Sequence, residues 1–186
     1  MELDHDYDAA LRSDIRRLGT LLGHTLMRQE GRPLLDLVEE IRALVRTDGA
    51  AAAERLARLD VPTGILLARA FSTYFHLANI TEQVHRARDL RRARGDHGGW
   101  LDQAAKLIAD RGVSARDVSA AAGRLAIRPV FTAHSTEAAR RSILSKLRAV
   151  ATELEAEARA AAVDGWTDRE ATDRRLAEVI DLLWQT

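Results

Sequence analysis

His134 closes the short apolar run Ile127-Arg128-Pro129-Val130-Phe131-Thr132-Ala133, and a helical pattern starts directly after it. Histidine titrates near neutral pH, so in such a place it can exchange a proton with a bound acid. Arg140 and Arg141 follow, in the first turns of the expected helix. A helix N-terminus carries partial positive charge and normally favours acidic side chains. Cations there suit an anion, toward which the free N–H groups of the first turn already point. The three residues together describe a pocket for a phosphate or carboxylate beside a titratable imidazole. The plainer alternative is a hydrogen-bonded structural histidine followed by two arginines in salt bridges.

Two other groupings carry less chemistry. Glu82-Gln83-Val84-His85 has the Glu-x-x-His spacing of di-iron helical bundles. Such a centre needs a second copy on a facing helix, and the only other match, Glu2-Leu3-Asp4-His5, lies at a terminus prone to fray. No metal ligand is therefore named. Arg86, Arg88, Arg91, Arg92 and Arg94 form a basic cluster near the end of a long helical pattern. They lack the interleaved aromatics of a base-stacking surface and complement the helix dipole where they stand.

The elements that position these groups are helical. Tyr7, Leu11, Ile15, Leu18, Leu22 and Leu26 recur at spacings of three and four, which predicts one helix. Gly31-Arg32-Pro33 ends it, and Leu34, Leu37, Val38, Ile41, Leu44 and Val45 form the stripe of a second. An alanine-rich piece runs from Ala50 to Leu59. The pattern from Thr63 to about Arg94 is apolar on several sides, through Ile65, Leu66, Leu67, Phe71, Tyr74, Phe75 and Leu77, which predicts a central buried helix. Asp96 to Gly99 reads as a loop, and Trp100 to Asp110 as a short helix. Capping boxes open further helices at Ser114-Ala115-Arg116-Asp117 and Thr167-Asp168-Arg169-Glu170. Between them lie the one expected strand, about 127–132, and a long helix from about Thr136 to Val163 that Gly165 ends. The last helix, through Leu176, Val179, Ile180, Leu183 and Trp184, finishes on an apolar turn without an obvious partner, as an interrupted protein would.

Bulk properties narrow the field. The 186 residues hold 28 basic and 28 acidic side chains, a net charge of +0, so attraction to nucleic acid or to an anionic membrane is not expected. With no cysteine, the chain has no disulfide, thiolate zinc site or thiol nucleophile. Neither a leader peptide nor a membrane span is legible, and a cytoplasmic protein is the expectation.

Phe131-Thr132-Ala133-His134-Ser135-Thr136-Glu137 resembles the Thr-Ala-His-Pro-Thr-Glu motif of phosphoenolpyruvate carboxylases. Leu11-Arg12-Ser13-Asp14-Ile15-Arg16-Arg17-Leu18-Gly19, then Gln29-Glu30-Gly31, resemble that family's N-terminal region. Ala70 to Asn79 and Glu82 to Arg86 resemble its next segment, and Arg140-Arg141-Ser142 fits as well. The ordered blocks span nearly the whole chain.

The resemblance implies a mainly α chain, the helical N-terminal portion of a much longer (β/α) barrel enzyme, with residues 1–186 an incomplete domain and 127–132 an early barrel strand. It implies synthesis of oxaloacetate and phosphate from phosphoenolpyruvate and bicarbonate, an anaplerotic supply of the tricarboxylic acid cycle by an allosteric homotetramer. Mg2+ or Mn2+ is the implied cofactor, with its ligands in the absent C-terminal part. His134 is the implied catalytic residue, taking the proton of carboxyphosphate as it splits to carbon dioxide; Arg140 and Arg141 would give electrostatic support to substrate. By itself the chain is expected to be inactive. Ser135 departs from the motif's proline, exchanging a stiffened turn for a residue able to cap a helix. The alternative is a non-catalytic helical interaction module of the same descent, docking through Leu182, Leu183 and Trp184.

Overall fold

The computed structural model describes residues 2–97, 99–129 and 140–186. Among them are eight helices and no strand: α1 (Glu2–Gln29), α2 (Arg32–Thr47), α3 (Gly49–Ala57), α4 (Val61–His97), α5 (Trp100–Asp110), α6 (Ala115–Ala122), α7 (Arg141–Asp164) and α8 (Arg169–Trp184). The mainly α expectation holds. Of the expected strand, Ile127, Arg128 and Pro129 carry no regular secondary structure, and 130–132 lie outside the described residues.

The chain divides into two compact units, Met1–His85 with Arg140–Thr186, and Arg86–Ala139. In the first, α8 packs on both α1 and α7, while α2 packs on α1 and α3. The four-residue spacing of Leu18, Leu22 and Leu26 puts them on one helical face, and all three lie in the core. Leu34, Leu37, Val38 and Ile41 meet them from α2, Leu147, Val150 and Leu154 from α7, and Leu176 and Ile180 from α8. Burying that many branched side chains is the main favourable term holding the unit together. Val45 and Leu144, which the apolar periods include, face solvent, each in a terminal turn of its helix.

α4 differs from expectation. Leu67, Ala70, Thr73, Leu77, Thr81 and Val84 are buried at spacings of three and four, whereas Ile65 and Phe75 are exposed. It therefore offers one stripe to the bundle instead of lying within it. Its buried Thr81 hydroxyl is satisfied by donating to the Leu77 carbonyl at 2.7 Å. α4 also continues through Gly95 to His97, past the expected loop start.

Local chemistry sets the boundaries. Gly31 turns α1 into α2 at φ 88, with Pro33 in the first turn of α2. Asp48 caps α3 by accepting from the Ala51 N–H at 3.0 Å, and Asp60 accepts from Thr63 at 2.9 Å to open α4. Ser114 caps α6 as expected, accepting from the Asp117 N–H at 3.2 Å. At α8 the cap is Asp168, which accepts from the Ala171 N–H at 2.9 Å, one residue beyond the expected Thr167. Gly165 ends α7 in the left-handed region, φ 66.

The second unit contains α5 and α6, joined through Gly112 at φ 67. Neither helix buries a residue among those described, and Trp100, Leu101 and Leu107 of α5 are exposed.

Candidate functional site

Arg140 and Arg141 stand at the start of α7, both exposed. Arg140 is the N-cap, with ψ 145, and its carbonyl accepts from the N–H groups of Ile143 at 2.9 Å and Leu144 at 3.1 Å. α7 thus begins at Arg141; the expected start near Thr136 lies outside the described residues. The Arg140 side chain makes no cap hydrogen bond, and no acidic residue sits in the first turn of α7. Its free N–H groups and two guanidiniums leave this helix end electropositive. His134 and Ser135 lie outside the described residues.

The acidic and basic groups that converge in the first unit include His85, which the sequence offered only as half of a metal spacing. His85, buried on α4, places Nε2 at 2.8 Å from Oδ2 of Asp14 on α1. The other Asp14 oxygen lies 3.7 Å from Arg169, whose Nε is 3.8 Å from Glu157 on α7. Arg17 donates to Glu157 at 2.6 Å and also to Asp173. Four helices therefore meet in one chain of ion pairs.

Burial alone would push the Asp14 carboxyl up, but the His85 hydrogen bond and the charges of His85, Arg17 and Arg169 outweigh it and leave the pKa below the usual aspartate value. Burial likewise works against the Arg17 charge, and its bonds to Glu157 and Asp173 overturn that effect and raise its pKa. In the sequence, Asp14 and Arg17 flank the same apolar stripe as Leu18, which places them on neighbouring faces of one helix. Their partners are remote along the chain.

Glu82-x-x-His85 is thereby explained without metal: its histidine is engaged by Asp14. No three His, Asp or Glu side chains gather as a metal centre requires among the described residues. These residues do not fit the divalent cation implied by the resemblance.

A cavity of about 600 Å3 opens between α1, α2 and α4, with Leu22, Leu26, Val38 and Phe71 among its apolar lining. Arg32 and Arg42 at its edge are paired with Asp36 at 3.6 Å and Glu39 at 2.8 Å. Arg140 and Arg141 do not line it.

The exposed apolar turn expected at the end of α8 is half absent. Leu183 and Trp184 are 5% and 1% exposed, packed into the core, and only Leu182, at 53%, faces out. The partner missing from the sequence reading is the body of this same unit.

The family model described as phosphoenolpyruvate carboxylase matches residues 11–186. The chain is 38% identical over 156 residues to the phosphoenolpyruvate carboxylase of Alcanivorax borkumensis, an alignment covering 77% of this chain and 18% of the relative. The same-named proteins of Rhodopseudomonas palustris and Pseudomonas fluorescens are each 36% identical, over 96% and 97% of this chain and 20% and 21% of their own lengths. The chain thus spans about a fifth of the curated relatives it matches. No solved structure matches it. Similarity of this extent, running from the first helix to the last, decides the ancestry: the chain belongs to the phosphoenolpyruvate carboxylase family.

Proposed function

We propose that this chain supplies the N-terminal part of a phosphoenolpyruvate carboxylase, with His134 as the base of the carboxylation step. The observation that carries the reading is the family match over residues 11–186, which includes the Thr132-Ala133-His134 motif. In the proposed reaction the phosphoryl group of phosphoenolpyruvate passes to bicarbonate, giving carboxyphosphate and the enolate of pyruvate. His134 then accepts the carboxyphosphate proton as the C–O bond to phosphate breaks, releasing carbon dioxide and phosphate. The enolate carbon attacks carbon dioxide and forms oxaloacetate. An imidazole serves this role well, because its ordinary pKa lies close to working pH.

Arg140 and Arg141 are proposed as electrostatic support. A helix end with two exposed guanidiniums favours the charge of a phosphorylated or carboxylated substrate. The family's Mg2+ or Mn2+ would be held by residues outside this chain, and no step is assigned through it. A homotetramer in the cytoplasm, under allosteric control and feeding the tricarboxylic acid cycle, completes the proposal. No helix among the described residues is long and apolar enough to cross a membrane.

The reading is tested by following oxaloacetate formation from phosphoenolpyruvate and bicarbonate in two samples. The native polypeptide carrying these residues is expected to form it, and the 186 residues alone are not. A native polypeptide without bicarbonate-dependent oxaloacetate synthesis would refute the proposal.

A further inference from the structure

The cavity of about 600 Å3 between α1, α2 and α4 is lined by residues of the first unit alone, and its volume is that of a small-molecule site. Two glycines of α1, Gly19 and Gly23, lie one turn apart along its wall. Glycine inside a helix is less stable than alanine, so two of them need a reason. Sterics do not supply one. A methyl at Gly19 would stand 3.4 Å from the Tyr74 ring, and one at Gly23 would stand 3.5 Å from Leu35, both ordinary contacts. What the two glycines do leave open is the cavity itself.

Charge distinguishes one end of it. Gly19 faces Tyr74, and the Arg42 guanidinium lies over the same ring, 5.8 Å from its centroid. Arg16 stands three residues before Gly19 on α1 and so shares the Tyr74 end. Arg32 and Arg42 are matched by Asp36 and Glu39, but Arg16 has no carboxylate partner among the described residues. Nor has the Tyr74 hydroxyl a hydrogen-bond partner among them. One uncompensated guanidinium and one open phenol thus border a floor made by Leu22, Val38 and Phe71.

We propose that this cavity is a binding site for an aromatic monocarboxylate, its carboxylate on Arg16 and the Tyr74 hydroxyl and its ring on the floor. A single residual positive charge matches a monoanion, and the guanidinium fork matches the planar carboxylate. The Phe71 and Tyr74 rings favour a flat aromatic body, whose rigidity also leaves little freedom to lose on binding. The site is independent of the role given to His134.

The experiment titrates naphthoate into the native polypeptide by calorimetry, beside its neutral alcohol naphthalenemethanol and the saturated decalincarboxylate. Naphthoate is expected to bind at one saturable site per chain, and the alcohol about tenfold more weakly, the usual loss with a charged hydrogen bond. Decalincarboxylate is expected to bind several-fold more weakly for want of ring contacts; equal binding would overturn the aromatic assignment. Arg16 is exposed, so Arg16→Met spares the core and is expected to weaken naphthoate about tenfold. Gly23→Met fills the cavity with a flexible side chain and is expected to abolish binding. Absence of saturable binding overturns the proposal, as does binding that survives both substitutions and therefore lies elsewhere. Binding to the 186 residues alone but not to the native polypeptide overturns it too, and assigns the cavity to the rest of the longer chain. If Gly23→Met does not fold, unchanged affinity in Arg16→Met is decisive against the site.

Discussion

The indole N–H of Trp184 meets a carboxylate oxygen of Glu30 at 2.9 Å, joining the last turn of α8 to the residue that follows α1. Arg69 of α4 lies over the same ring, its guanidinium carbon 4.4 Å from the centroid. One aromatic side chain thus draws three helices together, with apolar burial, a charge-assisted hydrogen bond and a cation–π contact acting at once.

Replacing this ring should therefore be costly. Trp184→Ala is expected to lose about 3–5 kcal/mol of stability, the usual range for emptying a large aromatic site. Trp184→Phe keeps most of the apolar surface and should lose about 1 kcal/mol more narrowly through the missing bond to Glu30. Leu182→Ala, two residues away but exposed, should stay within about 0.5 kcal/mol of wild type. Urea unfolding midpoints compare the three.

The ion-pair chain makes a second demand. Arg17→Met leaves Glu157 with only the 3.8 Å contact to Arg169 and removes the guanidinium from Asp173, and breaking the largely buried Arg17–Glu157 pair costs about 3 kcal/mol. Adding Glu157→Gln should recover part of that loss, because the second change removes the uncompensated charge. A double-mutant cycle in urea gives the coupling directly.

Acid should weaken the same network with a predictable sign. The folded-state pKa of Asp14 lies below its ordinary value of 3.8. A depressed carboxyl contributes stability that is present above the unfolded pKa and lost as pH falls through the folded one. Melting temperature in wild type should accordingly fall below about pH 4 more steeply than in Asp14→Asn, which has no carboxyl to protonate there. Parallel curves for the two proteins over that window would contradict the assignment.

Backbone handedness provides a further check. Gly165 ends α7 at φ 66, where a Cβ would meet no neighbouring atom but the conformation itself is strained. Gly165→Ala is expected to cost roughly 1–2 kcal/mol for the left-handed conformation alone. Thermal melts followed by circular dichroism measure it.

These contrasts also explain what was legible in the sequence. Stripes such as Leu18, Leu22 and Leu26 and stops such as Gly31 and Gly165 are local signals, and each helix they predict is present. Burial at helix ends is not local: Val45 and Leu144 share the apolar period yet face solvent, because period records a face and not the neighbour that covers it. The same gap hid the partner of Trp184, since Glu30 and Arg69 are remote in the chain. His85 beside Glu82 suggested a metal spacing, whereas its partner Asp14 stands 71 residues away and no periodicity could supply it. At the candidate site the arginines were legible by type, whereas the opening of α7 at Arg141 was not, since the Arg140 N-cap carries no side-chain cap hydrogen bond to mark it.

The most direct test of catalysis by this family member is the rate of oxaloacetate formation by the native polypeptide bearing His134→Ala, measured with saturating phosphoenolpyruvate and bicarbonate. Loss of a general base lowers turnover by about 100-fold or more, and that is the expected result. Turnover within about twofold of wild type, too small a change for a missing base, would show that His134 is not the group that receives the proton.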